Sequence, residues 1–384
     1  MSAFRYTFYA QEVIFGPGSI TKLREASERF GGHRIMLCTT AHARSRGHVT
    51  AVEDALGERL VASYESVRPH VQDTQVAEAL TLAAEYQVDA LIGLGGGSTI
   101  GMAKAVSFEL AEQQSEPTAR AATASGWPLI PIVAIPTTYA GSEMTPVFGV
   151  TRHVDGVAHK VTVTDARVTP RLTIYDPLLT LDLPPLMTAS TGINAVAHCI
   201  EALYSITRNP LSSAAALGGL RAMAQALPCC YVAGDDLEAR TEMLTGAFLA
   251  GTALANVAMG LHHGICHVLG GTAGVAHGDA NGVMLPHVMR FNLDATAPQL
   301  AQAAEAMGIP LAGQSAEAAA TAATQQIADW IRDMRLPQRL RDVGVREADL
   351  PALAQLAFAS RTVQNNPKAI GDVAQMEKLL RQAW

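Results

Sequence analysis

The chain has 384 residues, of which 49 % are hydrophobic and 16 % charged, with a formal net charge of -7. That length exceeds one ordinary core and suits two domains, and the apolar content excludes a disordered chain. No run of lysine or arginine could neutralise a phosphate backbone, which excludes nucleic acid as a partner, and no apolar stretch reaches the roughly 20 residues of a membrane helix.

The first half alternates short apolar runs with amphipathic stretches. Residues 34–39 (RIMLCT), 60–64, 89–94 (DALIGL) and 129–135 read as strands, and residues 74–86 and 99–110 as helices. Such alternation implies parallel strands joined by helical crossovers, an α/β doubly wound sheet. The character changes near residues 181–185, where Pro184 and Pro185 stop one pattern before another begins. From Thr188 onward, Ala, Leu, Met and Gln recur with helical periods, including an alanine-rich stretch at 314–329. The expected domains are therefore 1–182, α/β and Rossmann-like, and 183–384, all-α. The cysteines are Cys38, Cys199, Cys229, Cys230 and Cys266. Their odd number and the absence of a CxxC spacing suggest reduced thiols in a cytoplasmic protein, and the N-terminus has no signal-peptide pattern.

Residues 93–98 (GLGGGS) follow a strand and open a helix. Glycines let a backbone approach a pyrophosphate, and the helix N-terminus offers N–H groups and a partial positive charge. Gly95, Gly96, Gly97 and Ser98 are therefore candidate cofactor contacts. A second polar cluster, Pro136 to Glu143, follows the fourth strand. Thr137, Thr138 and Ser142 could hold a ribose, phosphate or nicotinamide amide, and Tyr139 lies among them. Thr39 ends the first strand, at the place where a carboxylate would reject a 2′-phosphate. No carboxylate stands there, so both NADH and NADPH are expected to serve.

Five of the twelve histidines fall between His262 and His287. His263 and His267 are four residues apart and share a helix face, as do Asn194 and His198. So dense a cluster points to a functional pocket rather than to separate core histidines. Three imidazoles could also bind zinc.

The chain resembles the iron-containing alcohol dehydrogenase family, whose fold is that of dehydroquinate synthase. The resemblance rests on GLGGGSTIGMAKAV, PTTYAGSEMTP, TGINAVAHCIEALYS, GLHHGICHVLGG and AHGDANGVMLPH, and it runs nearly end to end. It implies a nicotinamide-dependent oxidoreductase assembled as a homodimer. In the metal-dependent members an Asp and three His hold the ion, at positions that correspond to Asn194, His198, His263 and His277. The amide at 194 brings no charge, so a metal is not expected to be required; if one binds, the three histidines are its ligands.

That substitution, with the PTTYAGSEMTP loop and the LLRQAW end, resembles the metal-independent maleylacetate reductase branch. That branch reduces the conjugated C=C bond of 2-maleylacetate to 3-oxoadipate in the breakdown of aromatic compounds. It usually carries Lys where Gly264 stands here. The resemblance implies a small dicarboxylate substrate. His263 is then the expected proton donor or enolate partner, with His198 and His277 orienting the substrate. Tyr139, Asn194, His262 and Lys160 are expected on the substrate side. The alternative is a metal-dependent alcohol dehydrogenase reducing a small aldehyde or ketone. A lyase of the same fold would need more basic residues near the histidines, and a non-enzymatic nucleotide-binding module would leave the histidines without a role.

Overall fold

The structure, a computed structural model, describes residues 4–114, 129–154 and 157–384; for 113–114, 153–154 and 157–160 only the backbone is described. The chain divides into two compact units, Phe8–Asp182 and Leu183–Trp384, with residues 4–7 joining the second. This corrects the expected boundary at residue 1. The backbone N–H of Thr7 donates to Asn256 Oδ1 at 2.9 Å, a pairing 249 residues apart that no local pattern reveals.

In the first unit β1 (Glu12–Phe15), β2 (Ile35–Cys38), β3 (Leu60–Tyr64), β4 (Ala90–Gly95), β5 (Ile132–Pro136) and β8 (Leu172–Tyr175) form one parallel sheet, in the order β1-β8-β5-β4-β2-β3. Strands β2, β4 and β5 are buried along their whole length, which is why they read as unbroken apolar runs: both sheet faces are covered. Ile35 and Leu37 enter one core while Met36 and Cys38 enter the opposite one, the period of two of a strand. Helices Asp73–Glu85 and Gly97–Gln114 lie where helical spacing is found in the sequence. Strands β1 and β8 add to the four expected, and β6 (Val147–Val154) pairs antiparallel with β7 (Val157–Thr164) in a separate hairpin. The chain goes outward from β2 to β3 and returns to β4 on the other side of β2, so the C-terminal ends of β2 and β4 form a topological switch point, where ligands of open α/β sheets sit.

The second unit is helical, with long elements at Pro185–Tyr204, Pro210–Val232, Leu237–Leu254, Leu261–Ala273, His277–Ala306 and Ala316–Asp333. Proline opens the first of them, where its missing N–H has no intrahelical partner to lose. The fully buried Arg240 anchors that start: its guanidinium donates to Thr188 Oγ1 (2.9 Å), Leu183 O (3.1 Å) and Gly234 O (2.8 Å). Among the described residues, no helix is long and apolar enough to cross a membrane.

Candidate active site

At the end of β4 the chain turns into the Gly97–Gln114 helix through Gly95, whose φ of 133° is strained for any residue with a side chain. A Cβ at Gly93 would lie 2.8 Å from Ile100 Cα, so glycine also sets how closely strand and helix approach. Gly96, Gly97 and Ser98 are partly open, while Gly95 is buried and shapes the turn. The first-turn N–H groups of the helix lack intrahelical partners and favour an anion. The turn abuts the second polar cluster: a Cβ on Gly96 would meet Thr138 Oγ1 at 3.3 Å, and one on Gly97 would meet Ala140 Cβ at 3.4 Å. Thr137, Thr138 and Ser142 are half-buried beside it.

A buried cation, unremarked in the sequence, fixes that cluster. Lys104 lies two helical turns beyond the glycines and is fully buried. Its ammonium donates to the carbonyls of Ser142 (2.6 Å), Thr145 (2.7 Å) and Val147 (3.1 Å). Burial lowers its pKa to about 7, with the carboxyl of Glu143 acting in the opposite direction. Glu143, also buried, accepts from the hydroxyl of Tyr175 at 2.8 Å, and its own carbonyl accepts from Gln11 Nε2 at 2.8 Å.

Two expected contacts are placed differently, and an arginine near the end of β2 is already engaged. Thr39 is fully buried and its hydroxyl donates to Leu94 O at 2.9 Å, tying the ends of β2 and β4 together; it shapes the switch point and cannot touch a cofactor. Tyr139 is fully buried, with no ring face open to a substrate. Arg44, a possible partner for a 2′-phosphate, is held by Glu65 at 2.6 Å and Glu53 at 2.9 Å. Lys160 lies on β7, with its side chain outside the described ones.

In the helical unit three helices bring the histidines together. The Pro185–Tyr204 helix carries Asn194, His198 and Glu201, the Leu261–Ala273 helix carries His262, His263 and His267, and His277 opens the next. The His198 and His263 rings stack at 4.8 Å; His277 and His267 lie 6.1 and 6.2 Å from His263 and 6.1 Å from each other. His198, His263 and Asn194 are almost wholly buried, His277 is half-buried and His267 exposed. Burial drives the pKa of His198 and of His263 well below the ordinary imidazole value, so both are neutral near pH 7. His198 Nδ1 and His263 Nε2 are buried with no hydrogen-bond partner, as atoms awaiting a ligand would be.

Glu201, absent from the sequence-derived site, organises this group. Its Oε1 accepts from the N–H groups of Gly260 (2.9 Å) and His262 (3.0 Å), and its Oε2 lies 2.6 Å from His263 Nδ1. Gly260 is needed there, since a Cβ would come within 3.1 Å of Glu201 Oε1. His262 is fully buried, with Nε2 against Asn281 O at 3.2 Å and Nδ1 against His263 Nδ1 at 3.3 Å; this corrects its expected place among substrate contacts.

The C-terminal segment braces the same helix. Asn366 Oδ1 accepts from the N–H of Leu261 at 3.4 Å, and Val363 packs so closely that a Cβ on Gly264 would lie 3.1 Å from its backbone nitrogen. A lysine at 264 has no room here.

The donor set does not fit a tightly held divalent cation. Asn194 brings no charge, and His198, His263 and His277 do not together form one of the described groups whose ligand atoms all lie within 4.8 Å of one another. Among the described residues the trio within 4.8 Å is Glu201, His262 and His263, and its atoms are already engaged with one another and with N–H groups.

The pattern for iron-containing alcohol dehydrogenase matches residues 10–177, and that for the C-terminal part of the Fe-containing alcohol dehydrogenase family matches 188–384. The chain belongs to this family. The maleylacetate reductase of Pseudomonas knackmussii is 36 % identical over 381 residues, covering 99 % of this chain and 97 % of the relative. The crystal structure of maleylacetate reductase from Rhizobium sp. strain MTP-10005 superposes with a TM-score of 0.83 at 33 % identity, over 100 % of this chain and 99 % of that one. That of a 1,3-propanediol oxidoreductase superposes at 0.92 with 33 % identity, over the full length of both.

Proposed function

We propose that the protein is an NAD(P)H-dependent reductase of the maleylacetate reductase type, acting in the cytoplasm on 2-maleylacetate. The observation that carries this reading is a cluster of neutral, buried imidazoles with an amide where a metal-binding carboxylate would stand. The full-length likeness to maleylacetate reductases supports it.

The chemistry suits these side chains. Bound NAD(P)H supplies a hydride to the alkene carbon β to the ketone. The electron pair of the C=C bond moves toward the ketone oxygen as a delocalised enolate, and the adjacent carbon takes up a proton to give 3-oxoadipate. A delocalised enolate needs less local charge stabilisation than an alkoxide, so imidazole groups suffice where carbonyl reduction calls for a Lewis acid. His263 is the proton carrier in this reading, and His198 and His277 hold the substrate. The glycine turn and the Thr137–Thr138–Ser142 group bind the cofactor. In this reading the side chains act without a metal.

The test is oxidation of NADH and of NADPH by the purified protein with maleylacetate, against a panel of small aldehydes and ketones, before and after chelation. Chelator-resistant turnover of maleylacetate is the expected result. Metal-dependent turnover of an aldehyde alone would give the alternative reading, which the backbone likeness to 1,3-propanediol oxidoreductase keeps in the comparison. A second expected result concerns the turn. Gly96→Val fills the space against Thr138 and should weaken NADH or NADPH binding roughly tenfold or more in a fluorescence titration, with the melting temperature unchanged.

A further inference from the structure

We infer that Glu201 and His262 together hold the ring proton of His263 on Nδ1, which makes Glu201 the positioning residue for that imidazole and leaves Nε2 as a bare lone pair in the resting protein. The inference deepens the proposed function and rests on it only in taking His263 as the reacting ring.

The argument starts at Asn281. Its backbone carbonyl can only accept, so His262 Nε2, 3.2 Å away, carries a hydrogen. A neutral imidazole has one N–H, and His262 is fully buried, which disfavours its charged form. Its Nδ1 therefore presents a lone pair, and that lone pair faces His263 Nδ1 at 3.3 Å. A lone pair on the facing nitrogen would set two acceptors against each other. A hydrogen there meets two acceptors instead: His262 Nδ1 and, at 2.6 Å, Glu201 Oε2.

The surroundings of Glu201 agree. Its Oε1 accepts from the N–H groups of Gly260 and His262, and Oε2 also accepts from the N–H of His263 at 3.3 Å. With the Nδ1 hydrogen, all four contacts of the carboxylate are donors. The other arrangement, a protonated Glu201 donating to His263, would turn the Nδ1 lone pair toward His262 and is excluded by the same clash.

His263 Nε2, buried and without a partner, is then the ring's one exchanging atom. During reduction the ring takes a proton from solvent at Nε2 and passes that proton to the enolate carbon. The Nδ1 hydrogen stays with Glu201 throughout. A carboxylate that orients one ring nitrogen so that the other meets the ligand is a recurrent device of histidine sites.

The test is nitrogen NMR of the full-length protein labelled in its histidine rings, with the His263 signals assigned by their loss in His263→Asn. The expected spectrum has Nδ1 protonated and Nε2 unprotonated; a proton on Nε2 would overturn the inference. Glu201→Gln adds a kinetic readout. Its amide oxygen can keep the two N–H groups at Oε1 only by turning its NH2 toward His263 Nδ1. That sets a donor against the Nδ1 hydrogen, which His262 still holds, and should displace the ring and lower kcat by roughly 10²-fold, with the KM for NADH or NADPH unchanged. Full kcat in this variant would also overturn the inference. Should the variant not fold, the spectrum of the unsubstituted protein decides alone. A protonated Nδ1 in a protein inactive on maleylacetate would uphold the inference while refuting the proposed substrate.

Discussion

His263→Ala is expected to lower kcat for maleylacetate by roughly 10²–10⁴-fold, the usual worth of a positioned proton-transfer group, without weakening NADH or NADPH binding. His263 touches Glu201, His262 and His198 within the helical unit, whereas the residues proposed to hold the cofactor lie in the sheet unit. Loss of the ring therefore removes chemistry and leaves the nucleotide contacts intact. Steady-state kinetics and a direct titration of NADH separate the two. An equal fall in kcat and in cofactor affinity would show that the ring acts through folding, and His263 would then lose its chemical role.

Lys104→Met should be the most damaging single change in the sheet unit. Methionine keeps much of the length and the apolar stem but donates nothing, so the carbonyls of Ser142, Thr145 and Val147 lose their hydrogen-bond donor inside the protein. Leaving such buried partners unpaired costs about 3–5 kcal/mol, and cofactor affinity should fall with it, because those carbonyls adjoin the Thr137–Ser142 cluster. The effect depends on pH with a definite sign. Burial holds the folded pKa at about 7 against 10.5 for a free lysine, so between those values the unfolded chain binds more protons than the folded one. Stability contributed by this group is full above 10.5 and is lost as pH falls toward 7. The stability gap between native protein and variant should widen from pH 7 to 9.5 in urea titrations. A gap constant over that range would refute the assignment of a depressed ammonium.

Much of the sheet unit is legible in the sequence because its constraints are local. Unbroken apolar runs mark β2, β4 and β5, buried on both faces, and four glycines in five positions mark a turn that side chains would block. Strand β1 escapes notice because it is partly exposed and lacks a clean alternation, and β8 because Thr173 interrupts its short apolar run. In the helical unit the density of histidines points to the right helices, but residue type does not reveal which ring faces a ligand. His262 and His263 are neighbours in sequence, yet one is locked in the interior by Asn281 while the other keeps a nitrogen without a partner. The same limit applies to Thr39, whose hydroxyl is bound to a carbonyl 55 residues away. Glu201 is missed for a related reason: it lies three residues after His198, but its hydrogen bonds go to residues about 60 positions on.

The contact between Gly264 and Val363, with Asn366 against the start of the same helix, ties the histidine-bearing helix to residues about 100 positions further on. The Leu261–Ala273 helix shares one apolar cluster with Leu353, Val363, Met376 and Leu380, so these elements should open and close as a single cooperative unit. The histidine helix therefore gains its lasting neighbours only once the chain through Leu380 has been made.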